Sequence, residues 1–270
     1  MLSIVRKLIL QQVAWSRWID RLLPSKFSTD VGRAYFAENY LAKLITANSR
    51  VYDVGGGRFP AFTRDQKSLR NLQIIGLDLN PAELNAAPPG VYDRVQAADI
   101  TAFQGEGDAD FIVSQMLLEH VRDTSKAFRA FHTILKPGGL ALIVVPCRNA
   151  AFARLNMFLP QSLKRRLLVF VDPLTEARGA GWPAFYDRCT PGDFRTLAKE
   201  NGFDVVDLRA FYYSAYFQIC FPLHVIWRLW GLVADAAMGE QAAENFCICI
   251  RKRSVQLSRN DTALSVDSVA

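Results

Sequence analysis

The chain is poor in several things whose scarcity narrows its chemistry. Five cysteines, at 147, 189, 220, 247 and 249, are too few and too scattered for a disulfide scaffold. Cys247 and Cys249 stand two apart, a spacing that suits one face of a strand better than a zinc knuckle. A reduced, cytoplasmic compartment follows from that usage. Charge of one sign is also modest, a net +6 with a pI near 9.1. That balance suits an anionic ligand or an anionic membrane surface, but it is too mild and dispersed for nucleic acid, and no nucleic-acid-binding motif is present. Near the start, the apolar run after Arg6 and Lys7 stops at Gln11-Gln12. It is too short for a signal-peptide core or a bilayer span.

What remains is ordinary for a globular chain. Half of the 270 residues are hydrophobic and 21% are charged, enough for one α/β domain with insertions or two small domains. From Leu2 to Leu23, Val5, Leu8, Ile9, Trp15, Trp18, Ile19 and Leu22 recur at helical spacing with Arg6, Lys7, Arg17 and Arg21 among them. Such a helix packs on the domain or lies on a membrane surface. A second helix is expected over Asp30 to Ala47, its Arg33, Tyr35 and Tyr40 available to cover a site.

The centre of the chain is Val51-Tyr52-Asp53-Val54-Gly55-Gly56-Gly57-Arg58, an apolar strand ending in an acid and a glycine turn. Such a turn lets backbone approach a ligand and aims free N–H groups at it. Helix-compatible residues follow from Phe59, with Pro60 acceptable in a first turn. A second strand, Leu72 to Leu77, ends in Asp78, 23 residues after Gly55 and near the spacing of a ribose-binding acid. Further strands are expected at Arg94 to Ala98 (before Asp99-Ile100), Ala109 to Ser114 and Leu140 to Val145. Strands alternating with helices and carrying continuous apolar cores imply a parallel sheet covered on both faces.

D-V-G-G-G after strand one, L-D after strand two, A-D-I after strand three, S-Q-M-L-L-E-H-V after strand four and L-K-P-G-G before strand five come in a telling order. Together they resemble class I S-adenosylmethionine-dependent methyltransferases, in the broad group that includes ubiquinone- and menaquinone-pathway enzymes. The resemblance spans about Arg50 to Pro146, with weaker support to Arg253. It implies a doubly wound, seven-stranded, mostly parallel Rossmann-like sheet with S-adenosylmethionine as cofactor. It also implies cofactor-binding roles. Asp53, Gly55 and Gly57 would surround the methionine part. Asp78 would take the ribose hydroxyls with Leu79 on the adenine, and Asp99 the adenine amino group with Ile100 on its ring. Ser114 and Gln115 would line the methyl end. Phe59 stands where the family often has a further glycine, so the loop should be shaped differently. Met116 replaces a carboxylate that a related branch pairs with the Glu-His doublet, so no metal is expected at Glu119 and His120. A nicotinamide dehydrogenase fits less well, because Pro60 stands where a third glycine should allow close helix–strand packing.

Transfer to a hydroxyl or ammonium needs a base, and His120 is the candidate, although the Glu-His doublet can equally hold its loop. His132 falls inside a helix from Arg122 to Leu135, and His224 in an apolar setting. Cys147 to Thr190 forms an insert containing Lys164-Arg165-Arg166 and a lid-like stretch, Glu176 to Pro183. Thr190 and Pro191 start a helix that ends near Gly202. Strands six and seven are expected at Phe203 to Leu208 and Asn245 to Ile250, the last antiparallel by the resemblance. Between them Phe211 to Leu232 reads as a hairpin-like aromatic insert. It caps an apolar acceptor, dips into a bilayer interface, or packs on the amino-terminal helices.

The expected organisation is an amino-terminal helical cap (1–49), a methyltransferase domain (50–253) and a disordered tail (254–270). The expected function is methyl transfer to a small-molecule or lipid-linked, glycan-type acceptor, at the cytoplasmic membrane's inner face where contact with it is made. The alternative is a non-catalytic relative that docks a membrane or partner through its insert.

Overall fold

A computed structural model describes residues 2–28, 32–158, 182–213 and 217–254. The basic triplet, most of the lid-like stretch and nearly all of the carboxyl-terminal tail lie outside the described residues.

Helices α1 (Leu2–Asp20), α2 (Ser25–Ser28) and α3 (Gly32–Tyr35) lead to strand β1 (Arg50–Val54). Helix α4 (Arg64–Arg70), β2 (Gln73–Asp78), α5 (Pro81–Asn85), β3 (Arg94–Ala97) and β4 (Ala109–Gln115) follow. Then come α6 (Thr124–Ile134), β5 (Leu135–Pro146), α7 (Ala151–Phe158) and α8 (Pro191–Glu200). The chain closes with β6 (Phe203–Phe211), α9 (Phe221–Met238) and β7 (Asn245–Lys252). The strands form one sheet in the order β3-β2-β1-β4-β5-β7-β6, parallel except for β7, which is antiparallel to both neighbours.

Alternate residues of each central strand feed two separate cores. Tyr52, Val54, Ile75, Leu77 and Ile112 pack on one face with Phe128 and Phe131 of α6. Val51, Ile74, Phe111 and Val113 pack on the other with Phe36 and Tyr40. Both faces are therefore buried, which explains why the strands read as continuous apolar runs. Cys247 and Cys249 share one face of β7, opposite Val144 and Leu142, while Phe246, Ile248 and Ile250 fill the other core.

Helix starts follow their caps. Thr63 and Gln66 make a reciprocal capping box for α4, Asn80 caps α5 ahead of Pro81, and Thr190 caps α8 ahead of Pro191. Gly202 takes φ +78° past the end of α8.

Three expectations need correction. The helix expected over Asp30 to Ala47 is much shorter: α3 passes into a π-helical turn, Phe36–Leu41, and stops. The Arg70 guanidinium then donates to the carbonyls of Leu41, Ala42 and Ile45, satisfying groups a longer helix would have used. The chain after the glycines does not enter a helix at Phe59 or Pro60, because α4 waits for the Thr63 cap. The aromatic insert is not a hairpin. It is a turn followed by the 18-residue helix α9, with Pro222 in the first turn, where its missing N–H is harmless.

Candidate functional site

The sheet reverses its winding between β1 and β4, and the carboxyl ends of the strands at such a switch point are where a doubly wound sheet offers its ligand crevice. Asp53 is the last residue but one of β1 and Asp78 closes β2, so the two carboxylates arise from neighbouring strands at one edge. Gly55 and Gly57 take φ +79° and +47°, left-handed values open to glycine at little cost. A Cβ on Gly55 would stand 2.7 Å from Leu117, and one on Gly57 3.1 Å from an Asp78 oxygen. Bare backbone is thus what leaves the cradle open.

Asp53 is buried, and its Oδ2 accepts the Ala61 N–H at 2.8 Å. That bond closes the loop on itself, with the Phe59 N–H donating to Gly56 O. The altered loop expected from Phe59 is therefore a longer turn held by Asp53. Burial pushes the Asp53 carboxyl up to about 6, against the pull of Ala61 and Tyr92. The Tyr92 hydroxyl lies 3.1 Å from Asp53 Oδ2 and 3.2 Å from Gly57 O. Tyr92 was missed in the sequence. Gly76 leaves room for it, since a Cβ there would strike the Tyr92 ring at 2.8 Å.

Asp78 is also raised, by burial first and then by Glu83, although the Asn80 N–H donates to it at 2.9 Å. Arg58 grips Glu83 through two bonds, 2.5 and 2.8 Å, fixing the turn beside Gly57. Leu79 is exposed next to Asp78. Asp99 is exposed and accepts both the N–H and the hydroxyl of Thr101, while Ile100 is turned into the core. Ser114 pairs with Val54 across the β1–β4 boundary. Its buried Oγ has no partner among the described residues. Gln115 is half-buried beside it, and Met116 turns the chain out of β4 at φ +52°.

Beyond Met116, a 3-10 turn, Leu118–His120, carries the Glu-His doublet. Glu119 is buried, and its carboxyl is pushed up to about 8 by that burial. Its Oε2 has no partner among the described residues, and its Oε1 lies 3.8 Å from His120 Nε2. The Glu119 carbonyl accepts the N–H groups of Phe185 and Tyr186, docking that segment on the turn. His120 Nδ1 lies 2.9 Å from Pro183 O. Burial holds the His120 pKa below its usual value.

Other candidates fall elsewhere. His132 lies on α6 against Phe203, away from the crevice. The Tyr35 and Tyr40 hydroxyls donate to Asp207 of β6, so they brace the far side of the sheet rather than cover the site. His224 is not in an apolar setting: its Nε2 meets Asp20 at 2.8 Å.

The glycine cradle, two strand-end carboxylates and an unpartnered serine fit a nucleoside cofactor bearing positive charge. A family model described as a methyltransferase domain matches residues 10–208. The chain belongs to the class I S-adenosylmethionine-dependent methyltransferases. S-Adenosylmethionine is their cofactor. This methyltransferase is 25% identical to a ubiquinone biosynthesis O-methyltransferase of Cupriavidus pinatubonensis over 181 residues, 64% of this chain and 67% of that one. Against the enzyme of the same description from Xanthomonas axonopodis pv. citri it is 34% identical over 120 residues, covering 42% of this chain and about half, 49%, of the relative. Its fold matches an S-adenosylmethionine-dependent methyltransferase from Mesorhizobium loti at TM-score 0.51 and 18% identity, covering 80% of this chain and 98% of that one.

Proposed function

We propose that this methyltransferase methylates a hydroxyl of a small, lipid-linked acceptor in the cytoplasm, with residues 50–253 carrying the chemistry and residues 1–49 capping them. The carboxylate-lined cradle where β1 and β2 end supports this reading best. Bound there, S-adenosylmethionine supplies a methyl group on a cationic sulfur that leaves readily. Asp53 and Asp78 give the cradle a negative field suited to that charge. Asp78 accepts the ribose hydroxyls, Leu79 packs on the adenine, and Asp99 accepts the adenine amino hydrogens, with Ile100 backing the ring from the core. Gly55 and Gly57 admit the methionine part around the loop that Asp53 holds. Ser114 and Gln115 line the methyl end, where the unpartnered Ser114 Oγ has a hydrogen bond to offer.

His120 is the proposed base. Donation from Nδ1 to the Pro183 carbonyl selects the tautomer whose Nε2 lone pair is free to accept. Its lowered pKa keeps that nitrogen neutral near pH 7. With the cofactor bound, His120 Nε2 would take the acceptor's hydroxyl proton as the methyl group passes to that oxygen, the cofactor leaving as neutral S-adenosylhomocysteine. The O-methyltransferase descriptions of the two curated relatives support a hydroxyl acceptor.

Calorimetric titration of S-adenosylmethionine into the wild type and Asp78→Ala tests the cradle. Loss of ribose bonds to a charged acceptor should weaken binding by at least about tenfold. No binding to folded wild type would overturn the reading in favour of a non-catalytic docking protein. For the base, His120→Asn should lower kcat by about 10²–10⁴-fold with cofactor affinity unchanged. Equal rates would leave His120 a loop anchor.

A further inference from the structure

Helix α9 buries two ionisable side chains beside Trp227 and Ala234 and leaves large apolar ones in solvent. Its buried side carries His224 and Arg228, while its solvent side carries Leu223, Ile226, Trp230 and Val233, continuing the line of Ile219. These five are 46–64% exposed and recur at helical spacing, so they form one continuous apolar stripe.

The polar side is inward because α1 meets it there. Asp20 Oδ1 takes bonds from His224 Nε2 at 2.8 Å and Arg228 Nε at 2.7 Å, and its Oδ2 accepts from Gln218 at 3.2 Å. Burial alone would raise the Asp20 carboxyl, yet these partners hold it below its ordinary value. One turn and two turns earlier on α1, the Ser16 hydroxyl donates to Gln218 O and Gln12 Oε1 accepts the Phe221 N–H. Gln12, Ser16 and Asp20 thus form one polar seam along α1, with Val13 and Ile19 half-buried beside it. From Val5 to Gln11 every residue is exposed, Leu8, Ile9 and Leu10 among them. Trp15 and Trp18 are exposed further along.

The charges around this surface are of one sign. Arg6, Lys7 and Arg17 are exposed on α1, and α1 holds no carboxylate before the buried Asp20. The carboxylate on α9, Asp235, is paired with Lys26. A second copy would bring the same cations and, from these two helices, no unpaired carboxylate to meet them. An anionic lipid surface supplies what the patch lacks: hydrocarbon for the stripe and phosphate for the bases. No described helix is long and apolar enough to cross a bilayer, which fits helices lying in its interface.

We propose that the α1–α9 pair is a docking surface for an anionic lipid bilayer, held in shape by the buried Asp20–His224–Arg228 cluster. It does not depend on the acceptor or on methyl transfer. Sedimentation of the full chain with phosphatidylcholine vesicles, with and without phosphatidylglycerol, tests it, read alongside tryptophan emission. Partition should be at least about tenfold stronger on the anionic vesicles at low salt, with a blue shift as Trp15, Trp18 and Trp230 leave water. Ile226→Glu on α9 and Leu8→Glu on α1, both at exposed positions, should each abolish binding with the melting temperature unchanged. Protein left in the supernatant with unshifted emission would overturn the proposal. So would undiminished binding by both variants, or a lipid-free dimer that Ile226→Glu converts to monomer.

Discussion

Glu119 gives the sharpest energetic prediction. Its carboxyl is buried and pushed up to about 8 from an ordinary value of 4.5, by loss of water first, while its own backbone N–H and the Arg33 charge pull the other way. Between those two pH values the unfolded chain has released the proton and the folded chain still holds it. Stability therefore falls as pH rises through that window, by about 1.4 kcal/mol per pH unit, and levels off above about 8. The whole fall is about 5 kcal/mol, and water entering the site after ionisation would reduce it to about half. Glu119→Gln keeps the shape and carries no proton to lose. Thermal melting of both proteins from pH 5 to pH 9 should show the wild type losing ground to the variant with every step upward. At about 2 °C per kcal/mol for a chain of this size, the relative shift reaches about 10 °C, or about 5 °C with relaxation. Asp53 titrates lower, near 6, and contributes equally to both curves, so their difference isolates Glu119. Melting curves that stay parallel across the range would refute the reasoning, since the carboxyl would then be ionised in the fold at neutral pH.

Tyr92→Phe removes a partner from the buried Asp53 and should cost about 1–2 kcal/mol in urea denaturation. Because cofactor affinity should fall as Asp53 gains its proton near pH 6, the same variant should move that fall to higher pH in a calorimetric series. Gly55→Ala forces an alanine to φ +79° against Leu117, so melting should drop by a few degrees, for about 1–2 kcal/mol of strain, and cofactor binding by more than tenfold. Asp20→Asn leaves Arg228 without its buried counter-charge, and unfolding should become easier by about 3–5 kcal/mol, read by urea titration.

The sheet and the glycine turn at its edge were legible because their signals are local. The apolar run of β1 leads into a glycine turn and that of β2 is closed by an acid, and Thr190-Pro191 marks its helix without help from the rest of the chain. Tyr92 was not legible, since its partner Asp53 is 39 residues away and a tyrosine before Asp93 reads as an ordinary loop residue. Helix α9 was misread as a hairpin-like insert, although Pro222 in a first helical turn costs nothing. His224 and Arg228 stand four apart and so share one face, a polar stripe that could have revealed the helix. What it faced was out of reach: Asp20 lies more than 200 residues earlier, and no local pattern pairs them.

Topology ties the two proposals together. Helix α9 leaves the carboxyl end of β6 and returns the chain to the start of β7, which runs antiparallel. Both points lie at the sheet edge where β1, β2 and β4 end, the edge that carries the glycine cradle. The Trp227 indole N–H donates to Glu244, and the Glu244 carbonyl accepts the Cys147 N–H just past β5, which moors α9 to that same edge. A protein seated on lipid by α1 and α9 would therefore present its reaction edge, not its opposite edge, near the bilayer. An acceptor with a hydrocarbon tail loses about 0.8 kcal/mol for each CH₂ withdrawn into water. Placing the docking helices on the catalytic edge removes most of that cost, because the tail can stay in the bilayer while its hydroxyl reaches the cradle. The same chain with the stripe on the opposite edge would bind the membrane and gain nothing for such an acceptor.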